Sequence, residues 1–201
     1  MMTVELFVDT ATPQSDARSQ AERILAALTT QEGAPQDVLA KARELTHVVM
    51  HRPAVWVTGG PAEQPRYLVR ITVPAAWSND PGFASHVVPA VTAAIAGVEP
   101  DPGRLEREPH CVVQIVGVRE NGLGVFGRPV SSTEVTRMLT QDFRDSGAAV
   151  DVPEGYAVDP VCGMAVDIAS ARFDLEHDGV RHVFCAPVCR KVFAEDLGLP
   201  A

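Results

Sequence analysis

Residues 67–73 read YLVRITV and residues 111–118 read CVVQIVGV. Both runs are rich in β-branched side chains and predict strands. Between them, from Pro81 to Gly97, the residues Phe83, Val87, Val88, Val91, Ala94 and Ile95 recur at helical spacing. That pattern predicts a helix with one apolar face. Pro100 to Pro109 is polar and reads as a loop. Strand, helix and strand in this order make a βαβ unit.

The same order occurs upstream. Val4 to Val8 predicts a strand, and Ser15 or Asp16 caps a helix running to Leu28, with Ala21, Ile24, Leu25 and Leu28 on one face. A second helix is expected from Gln36 to His51, with Val38, Leu39, Ala42, Leu45, Val48 and Val49 inward and Pro53 stopping it. Ala54 to Thr58 is expected as a strand closed by a turn at Gly59-Gly60-Pro61. Downstream of the second unit, Asn121 to Gly124 is a tight turn, Val125-Phe126 a short return strand, and Ser132 to Asp142 a helix capped by Ser131-Ser132-Thr133-Glu134. Element order, not residue identity, carries the repeat. The expected class is α+β: two βαβ units forming a four-stranded sheet with helices on one face, plus a small ββα metal-binding domain.

The chain has 201 residues, 46% hydrophobic and 21% charged, with a net charge of -9. This composition is that of a folded protein of one or two domains. An acidic balance argues against nucleic-acid and anionic-membrane partners. With no apolar run of about 18 residues and no basic-then-apolar leader, neither a membrane span nor a secretory signal is expected, and the expected compartment is the cytoplasm. There, four cysteines do not suggest a disulfide framework.

Cys111 stands alone, whereas Cys162, Cys185 and Cys189 fall near the C-terminal end. The small, acidic, Gly- and Pro-bearing stretch before them divides the chain into a domain over 1–145, a linker over 146–158 and a second domain over 159–201. In the last of these, Asp159 to Met164 reads DPVCGM, two short strands flank a turn at His177-Asp178-Gly179, and Cys185 and Cys189 form a C-x3-C at a strand-to-helix junction. A helix start favours thiolate, the metal-binding form of cysteine. Three thiolates suit Cu(I), or zinc with a fourth ligand, and a module of this size gains stability from a metal. The alternative is that the thiols are small buried hydrophobes. The fourth ligand stays open. His182 would point away from Cys185 on a regular strand, and Met164 is equally suited to filling the core.

The DPVCGM stretch, Gly179, the Phe184-Cys185 step, Cys189 and Phe193 resemble the YHS domain, related to the TRASH metal-binding modules. His182-Val183 departs from the aromatic residues common there. The resemblance implies binding of copper or zinc by Cys162, Cys185 and Cys189.

Residues 67–128 carry a second resemblance. Ile71-Thr72-Val73-Pro74-Ala75, Pro109-His110, and Glu120-Asn121-Gly122-Leu123-Gly124 through Gly127-Arg128 are similar to the tautomerase superfamily, which includes 4-oxalocrotonate tautomerase and macrophage migration inhibitory factor-like proteins. That resemblance implies a βαβ building block and a homo-oligomer, a trimer for double-length chains. Its chemistry uses an N-terminal proline as general base. Here the chain begins Met1-Met2-Thr3, and Pro65, before the second unit, has only an amide nitrogen. No catalytic residue is therefore assigned. The competing readings are a tautomerase-superfamily enzyme, a keto-enol isomerase or related lyase or hydratase using a Thr3 amine with the C-terminal module regulatory, and a catalytically inactive fold used for protein interaction with the small domain merely structural.

Other residues have plainer readings. His47 and His51, expected on one helix face, suit a helix end better than a metal. His86 reads as a helix-face residue and His110 as a strand entry. Cys111 is expected to pack in the sheet, and Arg70 and Arg128 to be solvated or ion-paired. Gly122-Leu123-Gly124 lacks the context of a nucleotide loop.

Overall fold

Met2, Val4, Leu6 and Val8 turn inward along β1 (Met2–Val8), the period-two pattern of a strand with one covered face. The structure is a computed structural model that describes residues 1–9, 14–59, 64–147 and 149–200, with the backbone alone at 14–16. Turn residues 10–13, Gly60 and Pro61, and the capping side chains of Ser15 and Asp16, lie outside the described residues.

After β1 come α1 (Gln14–Leu28), α2 (Gln36–Glu44) and β2 (Thr46–His51). The second unit follows as β3 (Tyr67–Pro74), α3 (Ala75–Ser78), α4 (Pro81–Ala96), α5 (Arg104–Arg107) and β4 (Cys111–Val118). Among the described residues these strands form a four-stranded sheet in the order β2-β1-β3-β4. Each unit pairs its own strands in parallel, and the units meet through antiparallel β1 and β3, with Val4 opposite Ile71 and Leu6 opposite Val69. The covered face buries Val4, Leu6, Val69 and Ile71 against Ile24 of α1 and Val91 and Ile95 of α4. Each such side chain stabilises the fold by about 1.5–3 kcal/mol. The expected α+β sheet, with helices on one face, is present.

The expected helix over 36–51 is corrected. It stops at Glu44, and Thr46 to His51 form the parallel edge strand β2. Val38, Leu39 and Ala42 do keep helical spacing. From Thr46 onward the β-branched Thr46, Val48 and Val49 favour extended backbone, and β1 offers its free edge. The Thr46 hydroxyl donates to the Ala42 carbonyl at 2.7 Å and closes the helix end. The strand expected at 54–58 is accordingly absent; Val55 and Val57 are exposed. The loop expected over 100–109 contains the single turn α5, because Arg104 folds inward to Glu99 with Nε 2.8 Å from Oε2.

β5 (Leu123–Val125) and β6 (Arg128–Val130) form a hairpin after β4. Phe126, expected in the return strand, sits instead in the turn with Gly127, both at positive φ, and is exposed. α6 (Ser132–Ser146) has the expected N-cap: Ser131 Oγ accepts from Glu134 N at 3.2 Å, and the Glu134 carboxylate accepts from Ser131 N at 2.8 Å.

The C-terminal region contains the ribbon β7 (Tyr156–Val158) and β8 (Ala165–Asp167), the hairpin β9 (Phe173–His177) and β10 (Val180–Phe184), and α7 (Pro187–Asp196). Its own small core contains Val161, Phe184, Val188 and Val192, with Trp77 of α3 packed against it. Arg137 on α6 reaches Glu195 at 2.8 Å and Asp196 at 2.9 Å, and Arg144 also pairs with Asp196. Gly163 seats the C-terminal turn against the N-terminal half. At φ +74°, a methyl group there would lie 2.7 Å from the Phe143 ring and would overlap Pro35. Gly163→Ala is expected to destabilise the protein by about 2 kcal/mol or more, combining left-handed strain with overpacking. Gly179→Ala, also at positive φ but with open space around it, should cost clearly less. Urea unfolding of the two variants checks this difference.

Candidate metal centre

The DPVCGM stretch folds as a turn around its own aspartate. Asp159 is fully buried, and its Oδ1 accepts from Val161 N at 2.8 Å and Cys162 N at 3.3 Å. Gly163 N donates to the Asp159 carbonyl at 2.8 Å, and Asp159 N donates to the Met164 carbonyl at 2.9 Å. The second carboxylate oxygen crosses to the other loop, where Oδ2 accepts from Cys185 N at 2.9 Å. One side chain thus fixes the backbone of two cysteines 23 positions apart in sequence. Cys185 follows the last residue of β10, and Cys189 lies within the first turn of α7, its N–H donating to the Ala186 carbonyl at 3.1 Å. Pro187 at the start of that helix needs no amide partner there.

The result is a cluster of Asp159, Cys162, Cys185 and Cys189 whose donor atoms all lie within 4.8 Å of one another. Cys162 Sγ is 3.4 Å from Cys185 Sγ, which is 3.8 Å from Cys189 Sγ. All three cysteines are free; Cys162 and Cys189 are buried and Cys185 is exposed. Thiolates about 2.3 Å from a tetrahedral zinc stand roughly 3.8 Å apart, close to the 3.4 and 3.8 Å found here. The donor set of three sulfurs and one carboxylate suits a soft or borderline cation.

The electrostatics point the same way. Hydrogen bonds from the Cys185 and Cys189 thiols pull the Cys162 pKa well below its usual value. Donating those hydrogen bonds to Cys162, together with burial and the charge on Cys162, pushes the other two well above theirs. Burial and the Cys162 charge raise Asp159 to about 7, although the backbone amides of Cys185 and Val161 oppose the shift. The cluster resists carrying more than one negative charge unless a cation joins it.

The three cysteines expected together are brought together. Asp159 belongs to the cluster but was not anticipated as a donor; an aspartate followed by proline, three residues before a cysteine, is the turn signal that marks it. His182 instead packs its ring 4.7 Å from that of Phe193, and Met164 is a partly buried core residue. His47 and His51 lie on β2, not on a helix. His51 stacks on Phe7 with ring centroids 4.4 Å apart and contacts Glu5 at 3.1 Å. Arg70 pairs with Glu5 and Arg128 with Glu134, and the Pro65 carbonyl accepts from Arg104 at 3.0 Å. His110 Nδ1 meets Arg104 Nη1 at 2.9 Å. Cys111 packs against the sheet core, and burial pushes its thiol up to about 11. Thr3 lies inside β1, opposite His47 and Thr72.

No protein-family model matches the sequence. No curated protein matches it either. Solved structures do match. The crystal structure of Pt0534 inactivated by 2-oxo-3-pentynoate is 15% identical, aligned over 66% of this chain and 98% of its own, with a TM-score of 0.50. A wild-type fused 4-OT symmetric trimer is 13% identical over 66% and 98%, with a TM-score of 0.49. Macrophage migration inhibitory factor of Toxoplasma gondii is 13% identical over 63% and 98%, with a TM-score of 0.44. The first of these carries the comparison, and what it shows is the fold: a tautomerase-like α+β architecture, to which this chain adds a small C-terminal region. Among the described residues no helix is long and apolar enough to cross a membrane.

Asp159→Asn replaces an acceptor oxygen by a donor amide facing backbone N–H groups. It is expected to cost about 1–3 kcal/mol in the metal-free protein. Because the folded-state pKa of Asp159 is raised to about 7, its protonation stabilises the fold fully below about pH 4, and that contribution is lost as pH climbs through 7. Melting temperatures of the metal-free protein should therefore fall more steeply from pH 4.5 to 7.5 in the parent chain than in Asp159→Asn.

Proposed function

We propose that this chain is a metal-binding protein in which Cys162, Cys185 and Cys189 hold copper(I) or zinc on a tautomerase-like scaffold. The observation that supports it is the convergence of three free thiols, two of them buried, at 3.4 and 3.8 Å. A merely apolar core has no need to gather its sulfurs beside a buried carboxylate. The three thiolates would be the ligands. Asp159, already accepting three amides, has one acceptor position left on Oδ2 and would complete a four-coordinate site for zinc, while copper(I) would need the sulfurs alone.

In this reading residues 159–201 are a YHS-type module, 1–145 the scaffold, and 146–158 a linker whose last three residues, as β7, pair with β8 of the module. The scaffold is assigned no enzymatic role. The tautomerase resemblance favours a homo-trimer, and the uncovered sheet face, where Val49, Val112 and Val116 are 41%, 49% and 40% exposed, supplies a surface for it. The protein would act in the cytoplasm, where thiols stay reduced, in sequestering, delivering or sensing the metal.

Serine at Cys162, Cys185 or Cys189 should weaken metal binding by at least about 100-fold, whereas Cys111→Ser should leave it unchanged. Elemental analysis after chelator competition measures this. Parent protein that takes up neither copper nor zinc, or equal loss from Cys111→Ser, would refute the assignment. Cys185 and Cys189, with raised pKa values, are protonated at neutral pH, so binding must release their protons. For copper(I), held by the sulfurs alone, affinity should then rise with pH by roughly two protons' worth between pH 6 and 8, while zinc, which also takes Asp159, should release up to one proton more. Calorimetry in buffers of different ionisation enthalpy counts the protons.

A further inference from the structure

The thiol cluster forms one wall of a cavity between the two halves of the molecule. The cavity has a volume of about 350 Å³ and is lined by Cys162, Cys185 and Cys189 on one side and by side chains of α1, α2, α3, α4 and α6 on the other. Leu39 and Ala42 come from α2, Trp77 and Phe83 from α3 and α4, and Leu139 from α6. The Trp77 and Phe83 rings stand 6.2 Å apart, tilted by 45°, as an aromatic wall. Of the side chains lining it, only Asp80 is an acid, and none is a lysine or arginine. Asp80 accepts from Gly82 N at 3.0 Å as the cap of α4.

A bare ion needs little of this space, since one water's share of liquid volume is about 30 Å³. The remainder is mostly apolar and offers water few partners, while its size is that of a small-molecule site. Its polar lining is also mostly one-sided, with the thiols and Asp80 facing one imidazole, His86, and no lysine or arginine. An occupant that satisfies both ends must be a soft cation at the sulfurs and a compact apolar group in the cavity.

We propose that the site takes a soft organometallic cation, R–M⁺, with the metal on the thiols and an apolar or aromatic R group against Trp77 and Phe83. This rests on the three-cysteine reading above. Binding is ligand exchange: a thiol sulfur bonds to the metal, the counter-ligand X⁻ leaves and carries off the thiol proton as HX, and no oxidation state changes. The R–M bond stays intact.

The test uses the full chain with Cys111→Ser, so that only the clustered thiols count, and two probes, phenylmercury and methylmercury. Both are competed with the same monothiol, and retained mercury is measured. Burying a phenyl group should make phenylmercury at least about tenfold better retained, relative to its affinity for the competitor, than methylmercury. Ala42→Phe, or Leu139→Phe should the first variant fail to fold, fills the cavity. It should abolish that preference while copper and zinc stoichiometry is kept. Equal retention of the two mercurials by the Cys111→Ser chain would overturn the proposal and leave the metal site standing. Failure to bind copper, zinc or either mercurial would overturn both.

Discussion

A single buried carboxylate ties the candidate site together. Asp159 takes amides from its own turn on one oxygen and the amide of Cys185 on the other. When Asp159 is ionised, its hydrogen bonds are roughly twice as strong as neutral ones, and they span the two loops that carry the cysteines. Without this bridge the loops would be positioned only by a small core of Val161, Phe184, Val188 and Val192. Burial opposes the negative charge, so the carboxylate is held at a cost that the amides of Cys185 and Val161 only partly offset.

The scaffold contributes more than a place of attachment. Trp77 packs against both the sheet core and the C-terminal core. Gly163 lets the turn sit directly on Pro35 and Phe143, an approach that any side chain would block. The cluster therefore lies between the two halves rather than on an independent appendage, and side chains from α1, α2, α3, α4 and α6 of the scaffold line the cavity that the sulfurs face. Any reading of this protein has to treat the tautomerase-like architecture and the thiols together.

How much of this is legible in the sequence depends on how local the determining interaction is. β3, α4 and β4 are readable because YLVRITV, the apolar helix face and CVVQIVGV each satisfy a single periodicity. Residues 36–51 satisfy two in succession, and only the free edge of β1 decides where one gives way to the other. The three clustered cysteines are readable from spacing, since a turn and a strand–helix junction bring them together. Asp159 is harder to recognise because its role lies in an amide 26 positions away. The cavity is not readable at all: its walls are gathered from α1, α2, α3, α4 and α6 by tertiary packing.

The pairing of Arg137 and Arg144 with Glu195 and Asp196 fastens the end of α7 to α6. These side chains are 27–33% exposed, so mobile ions reach them far more readily than they reach the buried Cys162 and Cys189. Ionic strength acts on the seating of the C-terminal module, and so on the width of the crevice, before it acts on the thiols. The molecule has in effect a salt-sensitive fastening beside a salt-insensitive site.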